Sequence, residues 1–400
     1  MKVLRSGTLN VSAGAPTMSA YFTFLGLNQQ GVDAEIIMYP LSPMGWRRGE
    51  EILVQYSLAP IGKKFDFSTR LKKGMFVLSM YDICHAQGVW QYPTYVIVDV
   101  ARKLGKPYVI TSRGMLYPQD KAKAIMFFKK LSLKIRLLND LNRAACVQVA
   151  CTDELRHHRD LGVISPIAII PNPMGNKDYP FKKEDGKFRL GYLDRISLRK
   201  NVQGLIYAFA TLDKEAEGIE LLIIGGDAQY GASLKGEVEH LGLKNVKFTG
   251  FLSGEEKDKT IASYSVMAML GEFENLGNVV LEGLVWGILC IATTGVPWSE
   301  LNLHCCGWQV AYAQEAIMGI VKAVLNTSAD ELHKMRLEGR RVMEDNYSVD
   351  SIVIKMKQSY EWVLCSGEKL EFVYLFNHNK IGVTCIDMFI LPDFTERRVA

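Results

Sequence analysis

Residues 266–287, VMAMLGEFENLGNVVLEGLVWG, are the stretch that decides the fold. The first five residues are apolar and predict a buried strand, whereas Asn278 to Gly287 has the apolar spacing of a helix. The loop between them carries Glu274 and ends at Gly277. A strand, a glycine-containing loop and a helix in this order are typical of one βα unit of a parallel sheet.

The start of this predicted helix is suited to binding an anion. Gly277 lets the backbone come close to a ligand, and Asn278 is a good N-cap residue. The first free amides are then expected at Val279 and Val280. A helix start of this kind binds a diphosphate through its free N–H groups and its dipole.

Charged side chains near this helix start indicate more closely which anion the site binds. Glu274 lies on the loop and Glu282 one turn into the helix, where each carboxylate can accept hydrogen bonds from hydroxyls, one set on a sugar and one on a ribose. Arg195 and Lys200 follow the predicted strand Phe188 to Leu193. Arg195 can bind phosphate oxygens bidentately, and Lys200 supplies a point charge. Together these groups predict a site for a nucleoside-diphosphate sugar.

Outward from this stretch, strands and helices alternate along the second half of the chain, and more loosely along the first. Alternation of this kind predicts parallel sheets covered by helices on both faces. We therefore expect two doubly wound, Rossmann-like α/β domains in tandem, with the active site in the cleft between them. The proline-flanked turn Pro171-Asn172-Pro173 is the best domain boundary.

Composition narrows the class of protein. The 400 residues exceed what one core usually serves, and 48% apolar with 22% charged residues is ordinary for a globular enzyme. A net charge of +4 is too small to imply nucleic acid. The eight cysteines show no zinc spacing, and the sequence shows neither a secretion signal nor an apolar span. These features predict a cytoplasmic enzyme without a structural metal.

The same segments resemble glycosyltransferase family 4, a retaining family of GT-B fold, in its bacterial polysaccharide-biosynthesis branch. Glu274 and Glu282 match the family's pair of glutamates separated by seven residues, and Arg195 and Lys200 match its Arg-x4-Lys pair. Further similar segments are Ser12 to Pro16, Asp82 to Trp90, Ser112 to Leu116, Pro171-Asn172, Gly225-Gly226, Thr294 to Trp298 and Gly307-Trp308.

The resemblance implies a retaining, metal-independent transfer that uses a nucleoside-diphosphate sugar as co-substrate and no cofactor. Glu274 would hold hydroxyls of the donor sugar and Glu282 the ribose. Arg195 and Lys200 would neutralise the leaving diphosphate in place of a metal ion. The remaining implied donor-binding residues are Gly14, Gln87, Gly226, Gly277, Asn278 and Val279. His85 is either an acceptor-side residue or a histidine satisfied within the protein, and Arg113 is either structural or an acceptor contact.

Two positions depart from the family pattern. Asp194 stands where the family usually has Gly or Ser, so we expect its carboxylate to pair with Arg195 or to turn away from the donor. Gln87 stands where the family usually has a second histidine. These departures keep open the alternative of a catalytically silent nucleotide-sugar-binding subunit. A sugar-nucleotide epimerase of GT-B fold is a second alternative, because it would share the same fold.

The resemblance also assigns a role to each part of the chain. Residues 1–173 are expected to form the acceptor-binding domain and residues 174–350 the nucleotide-sugar-binding domain. A helix over residues 351–364 is expected to pack back on the first domain. Residues 365–400 form an atypical tail, either an altered reading frame or a small appended hairpin.

The acceptor is expected to be a glycan or a lipid-linked oligosaccharide. Residues 120–136 predict a basic amphipathic helix, with six cations among apolar residues. This helix is either a solvated face over the core or a surface that docks on anionic lipid. In the second case the protein contacts the inner face of the cytoplasmic membrane peripherally.

Overall fold

The computed structural model of the chain describes residues 1–6, 15–38, 54–56, 79–90, 92–117, 131–175, 179, 186–212, 218–226 and 229–377. These residues form two sheets with helices between the strands, which confirms the predicted α/β class. The chain divides into two compact units. The first unit draws on Met1–Val3, Gly7–Ala59 and Ile170–Gln358, and the second on Leu4–Ser6, Pro60–Ile169 and Ser359–Ala400. The domain boundaries expected from the sequence stay predictions.

The first half of the chain supplies one sheet, whose strand order is β7-β6-β5-β4-β1-β2-β3. All residues of its strands β4, β5 and β6 are buried, which is typical of a parallel sheet covered on both faces. The order reverses between β4 and β1. The strands are β1 (Lys2–Ser6), β2 (Asp33–Met38), β3 (Val54–Tyr56), β4 (Ile83–Gln87), β5 (Tyr108–Thr111), β6 (Cys146–Val149) and β7 (Ile167–Ile169).

The second half supplies a six-stranded parallel sheet with the order β10-β9-β8-β11-β12-β13. This is the order of a Rossmann sheet, and it reverses between β8 and β11. The strands are β8 (Phe188–Leu193), β9 (Ile219–Ile224), β10 (Val246–Gly250), β11 (Val266–Met269), β12 (Leu289–Thr293) and β13 (Gly307–Val310).

Helices connect the strands and cover the sheets. A 3-10 turn (Leu198–Lys200) follows β8, and a π-helical turn (Leu133–Leu137) leads into α3. The helices are α1 (Ala15–Gln29), α2 (Tyr92–Lys103), α3 (Leu138–Asn142), α4 (Thr152–Asp160), α5 (Val202–Ala210), α6 (Gln229–His240), α7 (Gly254–Ala262), α8 (Asn278–Val285), α9 (Glu300–Leu303), α10 (Gln314–Leu325), α11 (Ala329–Tyr347) and α12 (Val349–Cys365). None of these described helices is long and apolar enough to cross a bilayer.

The core of the six-stranded sheet lies between its strands and the helices on its faces. Leu221, Val266 and Leu289 on three strands are fully buried, and Phe209 of α5 and Val321 of α10 cover them. This cluster holds the strands in register, so the loops at their carboxyl ends project from a rigid platform.

The described part of the tail adds one short strand to the first sheet. β14 (Val373–Tyr374) pairs antiparallel with β7 and makes that sheet eight-stranded. Arg159 on α4 donates a hydrogen bond of 2.8 Å to the carbonyl of Tyr374, which holds the strand at the sheet edge. Residues 378–400 lie outside the described residues, and so do Gly14 and residues 120–130 of the predicted amphipathic helix.

Candidate functional site

The point where the six-stranded sheet reverses its order gathers the predicted site residues of the first unit. The segment 194–200 follows β8, and the segment 270–278 follows the neighbouring strand β11. Ligands of doubly wound sheets bind outside the carboxyl ends of the strands at such a reversal. The structure therefore brings Arg195, Lys200 and Glu274 to the position where a ligand is expected.

Lys200 is the centre of this cluster. Its side chain is 5% exposed, and its ammonium group forms ion pairs with the carboxylates of both Asp194 and Glu274. The ammonium donates a hydrogen bond to Asp194 Oδ2. Its contact with Glu274 Oε1 lacks hydrogen-bond geometry, so this buried oxygen accepts no hydrogen bond from the described residues. Glu274 Oε1 is thus an acceptor that a ligand hydroxyl can use.

Asp194 turns away from the Arg195 guanidinium. Asp194 Oδ1 accepts a hydrogen bond of 2.6 Å from the backbone N–H of Arg195, and Oδ2 binds Lys200. Of the two outcomes expected from the sequence, the pairing with the Arg195 side chain is therefore wrong. The Arg195 guanidinium is exposed and makes no ion pair within the described part of the chain. It remains available to an anion.

The loop that carries Glu274 is fixed by backbone contacts on two sides. Arg199 accepts a hydrogen bond of 3.0 Å from the Glu272 N–H and donates one of 3.1 Å to the Phe273 carbonyl. On the other side, the Glu274 N–H donates to the Gly295 carbonyl over 2.8 Å. A Cβ at Gly295 would lie 2.0 Å from the Glu272 oxygen, so only glycine permits this approach.

The start of α8 differs in one respect from the sequence prediction. Gly277, not Asn278, is the N-cap, with a left-handed φ of +67° that glycine adopts without strain. Asn278 is the first helical residue, and its Oδ1 accepts a hydrogen bond of 3.1 Å from Asn172 Nδ2. Asn172 in turn accepts one of 3.0 Å from Ser19. The Asn278 side chain is therefore held by the protein and does not cap the helix.

The free amides at this helix start lie one residue earlier than predicted. The Val280 N–H donates to the Gly277 carbonyl over 2.8 Å, so it is not free. The N–H groups of Asn278 and Val279 have no acceptor among the described residues. They face the end of the helix where the dipole favours an anion.

Glu282 has a partner that the sequence did not indicate. Its Oε2 accepts a hydrogen bond of 2.5 Å from Lys257 on α7, and both side chains are about one-quarter exposed. The charge-rich segment of α7 has no spacing that singles out Lys257. The ribose-binding role of Glu282 stays a prediction, with one carboxylate oxygen engaged by Lys257.

An exposed aromatic residue lies beside Gly226. Phe251 directly follows β10, and 80% of its surface is exposed. A Cβ added at Gly226 would lie 3.6 Å from the Phe251 Cβ. Sequence reasoning did not single out Phe251, which it took as the last residue of a strand over Val246 to Phe251, whereas β10 ends at Gly250.

The second unit contains the predicted site residues His85, Gln87 and Arg113. Both ring nitrogens of His85 are hydrogen-bonded within the protein. Its Nδ1 and Nε2 lie 2.6 Å from Tyr360 Oη and Thr111 Oγ1. Because Thr111 gives its single hydroxyl proton to Gln148, His85 Nε2 carries a proton and Nδ1 accepts from Tyr360. Burial, followed by the nearby Arg5 and Arg113, lowers the pKa of His85 well below its usual range. Of the two roles left open by the sequence, the internal one fits.

Gln87 and Arg113 contact each other. The Arg113 guanidinium donates a hydrogen bond to Gln87 Oε1, and the Gln87 backbone N–H donates to Ser6 Oγ over 2.9 Å. Gln87 Nε2 is buried without a hydrogen-bond partner among the residues described. The donor and acceptor roles of these two residues stay predictions.

Comparisons with known proteins show what the segment that contains the Lys200 cluster is similar to. Residues 176–340 match the family model described as glycosyl transferases group 1. Alpha-monoglucosyldiacylglycerol synthase of Streptococcus pneumoniae (strain ATCC BAA-255 / R6) is 26% identical over 181 residues, which cover 42% of this chain. The chain spans 40% of the length of that relative. The match agrees with the resemblance to family 4 seen in the sequence.

Solved structures extend the similarity to nearly the whole chain. Sucrose-phosphate synthase from Thermosynechococcus elongatus superposes with a TM-score of 0.71 at 16% identity, covering 92% of this chain and 100% of that one. HepE from Anabaena, solved with UDP and glucose, gives a TM-score of 0.67 at 17% identity, covering 90% and 99%. These similarities confirm the GT-B fold class predicted from the sequence.

Proposed function

We propose that the chain transfers a sugar from a nucleoside-diphosphate sugar to a glycan or lipid-linked acceptor, on the premise that residues 176–340 match the family model of the group 1 glycosyltransferases. The observation that carries the proposal is the pairing of buried Lys200 with Glu274 beside the free amides of α8. A cation, an unfilled carboxylate oxygen and a helix start at one sheet reversal suit a diphosphate joined to a sugar. The complexes of HepE with UDP and with UDP-glucose support this class of donor.

In the proposed reaction, the residues of the first unit stabilise the leaving diphosphate. Lys200 and Arg195 neutralise its developing charge, and the Asn278 and Val279 amides donate hydrogen bonds to its oxygens. Glu274 Oε1 accepts from a hydroxyl of the donor sugar, and Glu282 accepts from the ribose. We propose that the anomeric configuration is retained and that neither a metal nor a cofactor takes part. Among the described residues, no three His, Cys, Asp or Glu side chains gather as a metal site.

The acceptor is proposed to belong to surface-polysaccharide assembly at the inner face of the cytoplasmic membrane. The name of the S. pneumoniae relative, which includes a diacylglycerol, supports a lipid-linked acceptor. Leu131 and Ile135, in the described end of the basic segment, are 45% and 71% exposed, and Lys134 is exposed between them. Apolar and basic side chains together on a surface favour contact with anionic lipid. Arg136 is engaged by Asp99 and Asp140 and does not contribute to this surface.

The experiment that tests this proposal measures sugar transfer by the full chain. We expect release of a nucleoside diphosphate from one member of a panel of UDP-, ADP-, GDP- and dTDP-sugars when a lipid-linked oligosaccharide is added. Glu274→Gln keeps the shape of the side chain but removes its charge, and we expect kcat to fall by about 10²-fold. Glu315→Gln, on the surface helix α10, serves as the matched control and should leave kcat unchanged.

The same assay distinguishes a transferase from a catalytically silent binding subunit. The Asp194–Lys200 ion pair favours the silent subunit, because the Asp194 carboxylate neutralises the cation that would stabilise the leaving diphosphate. A binding subunit would be stabilised by a nucleotide sugar but would release no diphosphate, and Asp194→Ser would not change that outcome. Absence of transfer from every donor in the panel contradicts the proposed function.

A further inference from the structure

The second unit contains two arginines, Arg5 and Arg113, near the carboxyl ends of its strands. Arg5, the fourth residue of β1, is 1% exposed, and its Nε and Nη1 have no hydrogen-bond partner among the described residues. Arg113 follows β5 and has a left-handed φ of +52°. A guanidinium buried without a partner is strongly unfavourable unless an anion reaches it.

His85 and Tyr360, two side chains that interact electrostatically with the buried Arg5 guanidinium, are both uncharged. His85 is neutral because both ring nitrogens are engaged and its pKa lies well below its usual range. Tyr360 donates its hydroxyl proton to His85, and burial raises the Tyr360 pKa to about 12, so it also stays neutral. Gln87 is uncharged. Glu154 is a carboxylate whose charge acts on Arg113.

Glu154 is itself already engaged by hydrogen-bond donors. Its Oε1 accepts from Ser112 Oγ and from the Gly114 N–H over 2.6 Å each, and its Oε2 accepts from the Ala150 N–H over 2.8 Å. The carboxylate thereby fixes the loop that carries Arg113.

Three side chains with N–H donors, Arg5, Gln87 and Arg113, lie at the point where the first sheet reverses its strand order. Arg5 lies on β1 and Gln87 ends β4, the two strands on either side of the reversal, and the Gln87 N–H is bound to Ser6. Arg113 reaches the same place because it donates to Gln87 Oε1. Gln87 Nε2 and two nitrogens of Arg5 are buried donors without partners among the residues described. A sheet reversal is the position where doubly wound sheets bind ligands.

We propose that Arg5, Arg113 and the Gln87 side-chain amide bind a phosphate group carried by the acceptor substrate. The forked guanidinium groups match the geometry of phosphate oxygens, and the amide supplies a further donor. A phosphate also brings a negative charge to the buried Arg5 guanidinium, whose Nε and Nη1 have no partner among the described residues. The assignment to the acceptor rests on the proposed function, because the donor diphosphate is assigned to Lys200, Arg195 and α8. The acceptor class that follows is a phosphorylated sugar or a glycan linked through phosphate.

The test is calorimetric titration of the full chain with inorganic phosphate, at constant ionic strength held by chloride. We expect saturable binding to the wild type, weakened at least tenfold in Arg113→Met and several-fold in Gln87→Leu. Arg143→Met removes one exposed arginine of the same unit and should bind phosphate like the wild type. Because Arg5→Met could fail to fold, Arg5→Lys is measured as well, and circular dichroism checks each variant. A wild type that does not bind phosphate, or an Arg113→Met variant that binds it equally well, overturns the site.

Competition titrations identify which ligand carries the phosphate. They also distinguish a failure of this inference from a failure of the proposed function. Glycerol 3-phosphate should compete with phosphate whereas glycerol should not, and UDP should bind without displacing phosphate. Displacement of phosphate by UDP would assign the site to the donor and overturn the acceptor assignment. Phosphate binding without sugar transfer contradicts the proposed function but not the site, and transfer without phosphate binding contradicts the site but not the function.

Discussion

Lys200→Met should lower kcat for sugar transfer by a factor of about 10³ or more, because the leaving diphosphate loses its buried cation. The same change should destabilise the fold by roughly 3–5 kcal/mol, because the Asp194 and Glu274 carboxylates are left facing each other without a counter-ion. The measurements are steady-state transfer kinetics and urea unfolding of the two proteins. Lys247→Met, which removes a lysine from the exposed ion pair with Glu220, should cost no more than about 1 kcal/mol and leave kcat unchanged.

A double mutant separates the two effects of Lys200. In the Lys200→Met background, Asp194→Asn removes one of the opposed charges, so most of the lost stability should return while transfer stays low. If stability and transfer recovered together, Lys200 would be a structural residue alone. Transfer by Lys200→Met within tenfold of the wild type would also contradict its role at the leaving group.

Gly295→Ala should reduce transfer by about 10²-fold, because it displaces the loop that positions Glu274. The added Cβ would lie 2.0 Å from the Glu272 oxygen and 2.9 Å from the Gly271 oxygen, both of them backbone atoms that cannot rotate away. The loop must therefore shift, and the hydrogen bond from Glu274 to the Gly295 carbonyl is strained or lost. Overpacking of this kind should cost about 1–3 kcal/mol in the free energy of unfolding.

The matched control for this substitution is Gly319→Ala in the middle of α10. A Cβ there would meet no atom within 4 Å, so the change should be neutral or stabilise the helix by up to about 1 kcal/mol. Both variants are compared by transfer kinetics and by thermal unfolding. Wild-type kcat in Gly295→Ala would show that the position of the Glu274 loop does not matter for the reaction.

The sequence predicted the second sheet better than the first, for a physical reason. Strand β8 has its predicted bounds, Phe188 to Leu193, because it is a largely apolar run between polar turns. Strand β13 was missed because it is a four-residue edge strand with mixed burial. Strand β14 could not be predicted, because its two residues pair with β7 some 200 positions earlier, and local patterns do not encode such a partner.

In the candidate site, too, local sequence patterns predicted some features, whereas contacts between distant residues determine the others. The predicted alternation of strands and helices was enough to place Glu274, Arg195 and Lys200 at the carboxyl ends of strands in one sheet. The choice of Gly277 over Asn278 as the N-cap depends on a left-handed φ of +67°, and a Cβ at this position would lie 2.8 Å from Val296 Cγ1. The pairs Lys257–Glu282 and Asp194–Lys200 depend on side-chain directions that residue types alone do not specify.

The central claim is that the first unit binds a nucleoside-diphosphate sugar between the Lys200 cluster and Glu282. The most direct measurement is calorimetric titration of the wild type and of Glu282→Ala with the nucleotide sugar that supports transfer. We expect saturable binding by the wild type and at least a tenfold weaker affinity in Glu282→Ala, since losing hydrogen bonds to a charged group costs about 1.5–3 kcal/mol. Glu255→Ala, which removes an exposed carboxylate of α7, should bind like the wild type. Equal affinity in Glu282→Ala, or no binding of any nucleotide sugar by the wild type, would contradict the claim.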